Sequence, residues 1–216
     1  MQFPQPVLAG ALLLSGCAHT HQDVLRNQPP EVALSKTLEI YSAMGGGYGA
    51  PISGDRIVTA AHIIHGQSVY YRSISGSGRA RILSMDRDTD LAILVAKEGL
   101  QSLLEVSESL PNVGEEVYWT SRLPDGTTTW NRGWYQGKSA GWGMVNGWFH
   151  PGTSGSPLLR ADGTVWGIAS AGHNWSCTDN VLEFDLMSDK DKFDCLYRMA
   201  QFPSHMRVRI IVGEIR

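Results

Sequence analysis

Three side chains, met in the order His, Asp, Ser, carry the residue types needed for nucleophilic catalysis. The serine sits at the apex of Pro151-Gly152-Thr153-Ser154-Gly155-Ser156-Pro157. Gly152 and Gly155 let that loop take a positive φ or approach a ligand where a side chain would clash. Such a loop can turn backbone N–H groups toward a point where an oxygen collects negative charge. A serine hydroxyl attacks poorly until a base accepts its proton. The candidate base is His62, which follows the small residues of Ile57-Val58-Thr59-Ala60-Ala61 and can point into a cleft; His65 is a nearby competitor. The candidate carboxylate is Asp90, the last acid of Asp86-Arg87-Asp88-Thr89-Asp90 and the one that borders the apolar run Leu91-Ala92-Ile93-Leu94. A partly buried carboxylate there can fix a histidine tautomer and stabilise its protonated form. Taken singly, each residue has an ordinary alternative: a turn, a structural histidine, a strand-entry aspartate. Ser156 is the rival nucleophile, but it lies beyond the second glycine and faces the next strand.

The elements that must position these groups read as short strands. Leu38–Met44 is expected to be a strand, followed by a glycine-rich turn, Gly45-Gly46-Gly47-Tyr48-Gly49. Ala50–Ile52 and Arg56–Thr59 pair through Ser53-Gly54-Asp55, and Val69–Ile74 and Arg79–Met85 pair across Ser75-Gly76-Ser77-Gly78. Leu91–Ala96 is a continuous apolar run, expected to be buried. The second half repeats the style with Glu116–Thr120, Thr127–Tyr135, Lys138–Val145, a hairpin of Leu158–Arg160 with Thr164–Ala169, Val181–Leu186 and Arg207–Ile215. Met187–Gln201 reads as helix or irregular insertion. Many short strands at this spacing predict an all-β barrel or sandwich. All seven Trp fall between Trp119 and Trp175, which suits either a second barrel rich in large core residues or an aromatic binding surface.

Together, Thr59-Ala60-Ala61-His62, Asp90-Leu91-Ala92-Ile93-Leu94 and Gly152-Thr153-Ser154-Gly155-Ser156-Pro157 resemble the trypsin/chymotrypsin-like serine peptidases, over about residues 35–185. The likeness is to compact bacterial branches, the Deg-type and glutamyl endopeptidases. Thr153, where Asp or Asn is more usual, and Ser156, where Gly is common, depart from the pattern. The resemblance implies two six-stranded antiparallel β-barrels with the site in the cleft between them. It implies Ser154 as nucleophile, His62 as base and then acid, Asp90 orienting His62, and the N–H groups of Gly152 and Ser154 as oxyanion hole. It places the primary specificity pocket between Trp148, Phe149 and His150 on one wall and Ser170, Ala171, Gly172 and His173 on the other. Ala169 stands where glutamyl endopeptidases carry a His, and no acid lies between Gly141 and Thr153. A small or apolar residue is therefore expected before the scissile bond. The chemistry needs no cofactor, and no metal-ligand spacing stands out. An α/β-hydrolase esterase is disfavoured because the serine loop leads to Pro157 and a strand instead of a helix. The alternative of a different class is an inactive fold kept as an envelope peptide- or glycan-binding module.

Composition bounds the rest. A net charge of −3 without a basic run argues against nucleic acid as partner. Val7–Gly16 is apolar but too short to span a bilayer, and it ends in Leu14-Ser15-Gly16-Cys17. That ending resembles a bacterial lipoprotein signal, although Met1–Pro6 lacks Lys and Arg. The resemblance implies a signal at 1–16, a lipidated Cys17 that anchors the chain in a membrane, and an exported envelope protein; Ala18 suggests outer-membrane sorting. Residues 17–34 then form a polar tether and 35–216 the domain, with barrels at about 35–105 and 112–216. Cys177 and Cys195 remain as a pair. A disulfide between them would close a loop of roughly 18 residues and contribute about 3 kcal/mol; two buried thiols are the alternative.

Overall fold

The computed structural model describes residues 30–123, 125–147, 149, 152–173 and 204–213. Cys17, Cys177, Cys195, Trp148, His150 and the expected elements at Val181–Leu186 and Met187–Gln201 lie outside them. A one-turn helix, α1 (Glu31–Leu34), precedes twelve strands: β1 (Leu38–Ser42), β2 (Gly45–Ser53), β3 (Arg56–Ala60), β4 (Val69–Ser73), β5 (Gly76–Asp86), β6 (Leu91–Ala96), β7 (Glu116–Arg122), β8 (Thr128–Ser139), β9 (Trp142–Gly147), β10 (Pro157–Leu159), β11 (Val165–His173) and β12 (Ser204–Ile210). They close into two antiparallel barrels, in the order β1-β2-β3-β6-β5-β4 and β10-β11-β12-β9-β8-β7. The fold is the all-β, chymotrypsin-like pair of six-stranded barrels.

Three apolar clusters hold it together. Ile40, Ile57, Val69 and Leu94 fill the first barrel. Trp119, Tyr135, Leu158, Trp166 and Val208 fill the second. Ala50, Val58, Tyr118, Leu159 and Ile168 pack between the barrels, with Ala33 and Leu34 of α1 against them. Residues 31–34, expected in the tether, thus pack onto the barrels. Strand β3 shows how two barrels share one strand: side chains alternate faces, so Ile57 enters the first core and Val58 the interface, and both are fully buried. The described tryptophans differ in burial. Trp119 and Trp166 are core residues, whereas Trp130 and Trp134 are nearly half exposed. Glycines make room for the large rings: a Cβ at Gly147 would lie 2.6 Å from the Trp119 ring, and one at Gly143 would lie 2.7 Å from Trp166.

Two local expectations are overturned. Lys138–Val145 is not one strand: Lys138 and Ser139 end β8, Ala140 and Gly141 turn the chain, and β9 begins at Trp142. Gly45–Gly49 is strand, not turn, and pairs with β1 from Ser42↔Gly45 to Leu38↔Gly49. Its glycines answer to close neighbours. A Cβ at Gly46 would fall 2.6 Å from the Ile40 carbonyl, and one at Gly47 would fall 2.3 Å from the carbonyl oxygen of Ser154. Strand β2 is a floor on which the serine loop rests.

Candidate active site

His62 stands on a single 3₁₀ turn, Ala61–Ile63, that follows β3 directly. The ladder between β3 and β6 ends at Ala60↔Leu91, so the residues just beyond, His62 and Asp90, are brought side by side. Ala60 and Ala61 are fully buried, which is why only small residues serve there. Two bonds fix the turn: the Ala61 amide donates to the Asp90 carbonyl at 3.2 Å, and Arg87 Nη2 donates to the Ile64 carbonyl at 2.9 Å.

Asp90 arrives through a tight turn. The Asp86 carboxylate accepts the amides of Asp88 and Thr89 at 2.9 and 3.2 Å, and Asp90 follows with φ of 51°. Left-handed backbone is unfavourable for most residues but tolerated by Asp and Asn. The three acids read together in the sequence therefore separate by role: Asp86 caps the turn, Asp88 is exposed, and Asp90 enters the site.

The Asp90 carboxylate is fully engaged. Oδ1 accepts the His62 backbone N–H at 2.8 Å, and Oδ2 lies 2.8 Å from His62 Nδ1. Ser170 Oγ also donates to Oδ2. Burial pushes the Asp90 carboxyl up, but the bonds from His62 and Ser170, together with the His62 charge, outweigh it and hold the group below the usual carboxylate range. An ionised carboxylate only accepts, so Nδ1 carries a proton, and in the neutral ring Nε2 is left with a free lone pair. That lone pair faces Ser154 Oγ at 2.8 Å. A hydroxyl bonded to an imidazole that is itself bonded to a carboxylate can attack an electrophilic carbon while passing its proton to the ring.

The serine loop is clamped from three sides. Tyr48 N–H donates to the Ser154 carbonyl and Gly155 N–H to the Ala169 carbonyl, both at 2.8 Å. Thr153 is buried, with its hydroxyl 2.8 Å from Ser121 Oγ. Ser156 is fully buried and its Oγ accepts the Thr120 amide at 2.9 Å, so the rival hydroxyl is turned away from His62. Gly155 needs both its positive φ of 79° and its missing Cβ, which would otherwise fall 2.1 Å from the Tyr48 carbonyl. With Gly152 at φ 90°, the N–H groups of Gly152 and Ser154 find no acceptor among the described residues.

Beside this loop a charged cluster ties the barrels together. Arg122, at the end of β7, reaches Glu39 of β1 at 3.0 Å and donates to Tyr41 Oη at 2.9 Å. Arg72 Nε donates to the same Glu39 oxygen at 2.7 Å. Burial raises the Glu39 carboxyl, but the bonds from Tyr41, Arg72 and Arg122 prevail and hold it low. The hydrogen bond to Tyr41 and the pairing with Glu39 prevail over burial and raise the Arg122 guanidinium.

A family model of the trypsin-like peptidase domain matches residues 47–168, from the glycine strand through the serine loop to β11. The chain belongs to that family. Among solved structures, the active form of the Rv3671c protease of Mycobacterium tuberculosis matches this trypsin-like domain with a TM-score of 0.61 at 22% identity, over 69% of this chain and 76% of that one. A mutant of the same protease in its inactive form gives 0.62 at 20% identity over 87% of each chain. The serine endoprotease of Yersinia pestis gives 0.60 at 20% identity, over 68% of this chain and 58% of that one. No curated protein matches the chain at a comparable level.

Two of the residues expected to line a specificity pocket make contacts that the sequence did not foretell. Phe149 stacks on Trp119, with ring centroids 4.5 Å apart at 19°, and packs against the second core. Ser170 spends its hydroxyl on Asp90. Ala171, Gly172 and His173 occupy β11 opposite Arg207, Met206 and His205, past a bulge after Ala169. The sequence reading missed the bracing groups Ser121, Thr120 and the Tyr48 amide. All of them lie far along the chain from the loop they hold, and no local pattern marks them.

Proposed function

We propose that the chain is an exported serine endopeptidase that cleaves polypeptides through an acyl-enzyme on Ser154. The observation that carries this reading is the unbroken chain of 2.8 Å contacts from Ser154 Oγ to His62 and from His62 to Asp90. In this reading Ser154 attacks the scissile carbonyl as His62 Nε2 takes its proton, and Asp90 holds the ring tautomer and offsets the imidazolium charge. The carbonyl oxygen, now negative, is received by the N–H groups of Gly152 and Ser154. Each such donor is worth roughly 3–4 kcal/mol of barrier. His62 then gives its proton to the leaving amine, and water repeats the sequence to release the acid. Family membership supports a peptide substrate. The absence of an acid between Gly141 and Thr153 supports a small or apolar residue before the cleaved bond.

A fluorophosphonate probe tests the assignment. Labelling should persist in Ser156→Ala and vanish in Ser154→Ala. A folded wild-type protein that takes no label, and cleaves no member of a peptide library, would establish the inactive binding module instead.

The same reading places the protein at the cell envelope, lipidated on Cys17, with Cys177 and Cys195 joined. Leu14-Ser15-Gly16-Cys17 supports the anchor. Metabolic palmitate labelling should disappear in Cys17→Ser, and denatured, unreduced protein should expose no free thiol at Cys177 or Cys195.

A further inference from the structure

Outside the catalytic groups, the outer wall of the first barrel carries an open cavity of about 480 Å³. Strand pairing builds its rim. Tyr41 lies opposite Tyr70, Tyr70 lies opposite Arg79, and the Lys97 amide donates to the Arg79 carbonyl. Directly paired residues share a face of the sheet, so Tyr41, Tyr70 and Arg79 form one row across the strands, with Lys97 next to it. Arg72 stands two pairs along, on the same face, opposite Glu39. The row passes from two flat aromatic groups to two cationic ones. The Arg79 guanidinium lies 5.3 Å from the Tyr70 ring centre, and Tyr41 has Arg72 at 5.6 Å and Arg122 at 5.5 Å.

Two features separate this surface from an ordinary solvated face. First, the cavity wall sets Arg72, Arg79 and Lys97 against one acid, Glu98, and only Arg72 is already paired, with Glu39 beside the wall. Among the described residues, Arg79 and Lys97 pair with no carboxylate. Gathered cations repel one another unless an anion joins them. Second, the row is continuous with the serine loop. Arg122 donates to Tyr41, and the Arg122 Cβ lies 3.6 Å from the point a Gly152 Cβ would occupy. Neighbouring strands lie about 4.8 Å apart, so Tyr41 to Lys97 covers roughly 14 Å, the reach of about four extended residues.

Resting on the endopeptidase reading, we propose that this surface is an anion-recognising extension of the cleft that takes an acidic segment of the polypeptide substrate. Carboxylates of the segment pair with Arg79 and Lys97, and its apolar carbons lie on Tyr70 and Tyr41. Because the surface is reached past Arg122, only one side of the scissile bond leads to it.

The test uses the full chain carrying Ser154→Ala, so that binding is read without turnover. A fluorescein-labelled, Glu-rich peptide of about eight residues should bind, with affinity falling as salt rises. The Arg79→Glu/Lys97→Glu pair should weaken it at least tenfold, and a Gln-rich peptide should not bind. On active enzyme, the same pair should lower kcat/KM at least tenfold for a substrate with the acidic segment on one side of the cleaved bond. It should leave a short neutral substrate unchanged. Unaltered binding in the double reversal would overturn the proposal, as would equal benefit from acidic segments on both sides, or polyphosphate binding with no peptide binding. Failure of acidic binding while the neutral substrate is still cleaved defeats the surface and spares the endopeptidase reading. Acidic binding without any cleavage does the reverse.

Discussion

An Asp90→Asn exchange replaces one oxygen by NH₂ and removes one charge, yet the hydrogen-bond pattern at Asp90 dictates a large effect. Oδ1 receives the backbone N–H of His62, a donor that cannot be reversed. The Asn side chain must therefore turn its carbonyl to that amide and place its NH₂ where Oδ2 now meets His62 Nδ1 and Ser170. Facing a donor, Nδ1 becomes the acceptor and the ring proton moves to Nε2. There it points at Ser154 Oγ, and the base no longer has a lone pair for the hydroxyl proton. A wrong tautomer of this kind lowers kcat by about 10⁴-fold, a barrier increase of about 5 kcal/mol.

The fold should tolerate the change, because Asn accepts the left-handed backbone found at φ 51°. Steady-state cleavage of a library-derived peptide should show the loss in kcat with KM nearly unchanged, and fluorophosphonate inactivation should slow in parallel. Ser170→Ala offers the graded control. It removes one bond to a charged acceptor, worth about 1.5–3 kcal/mol at most, so kcat should fall no more than about a hundredfold. A folded Asp90→Asn protein within tenfold of wild-type kcat would refute the proton path. So would a loss confined to KM.

Gly47→Ala lies in the first barrel yet should act on the active site, since its Cβ would fall 2.3 Å from the Ser154 carbonyl. Fluorophosphonate labelling should be lost or slowed by at least tenfold while circular dichroism stays β-rich. Thr153→Val leaves Ser121 Oγ without its hydroxyl partner and should cost about 1–3 kcal/mol in urea unfolding; adding Ser121→Ala should recover part of that loss. In acid, Asp90 sets a stability window. Its folded carboxyl lies below the unfolded value, so its contribution is present above about pH 4 and is lost as pH falls through the lower folded value. The unfolding difference between wild type and Asp90→Asn should therefore fade below about pH 4.

What was legible in the sequence follows the range of the contact that decides each feature. Strand β6 was read with its observed limits because a continuous apolar run between an acidic turn and Lys97-Glu98-Gly99 is a local signal. His62, Asp90 and Ser154 were legible because each sits where a strand or turn ends in a recognisable way. Strand β2 was misread because Gly45–Gly49 has the local composition of a turn. The reason for Gly47 is a carbonyl in the second barrel, invisible to any window on the first. The bond from Ser170 to Asp90 went unforeseen for the same reason: Asp90 belongs to the other barrel.

The cleft groups therefore divide by barrel in a way that no single motif records. The first barrel supplies His62 and Asp90, and the second supplies Ser154 and the Ser170 hydroxyl that braces Asp90. Each half is held in register by the other. Tyr48 N–H carries the Ser154 carbonyl, Arg122 carries Glu39, and Thr59 Oγ1, which donates to the Tyr48 carbonyl at 2.5 Å, would collide with any Cβ at Gly155. A displacement of one barrel against the other would lengthen the Ser154–His62 and Ser170–Asp90 bonds at once. The apolar layer of Ala50, Val58, Tyr118, Leu159 and Ile168 between the barrels is thus part of what keeps the reacting groups in contact. Reacting atoms must be held within a fraction of an ångström for the proton to pass. A cavity opened in that layer, far from any polar group of the site, acts on the same distances as a change in the site itself.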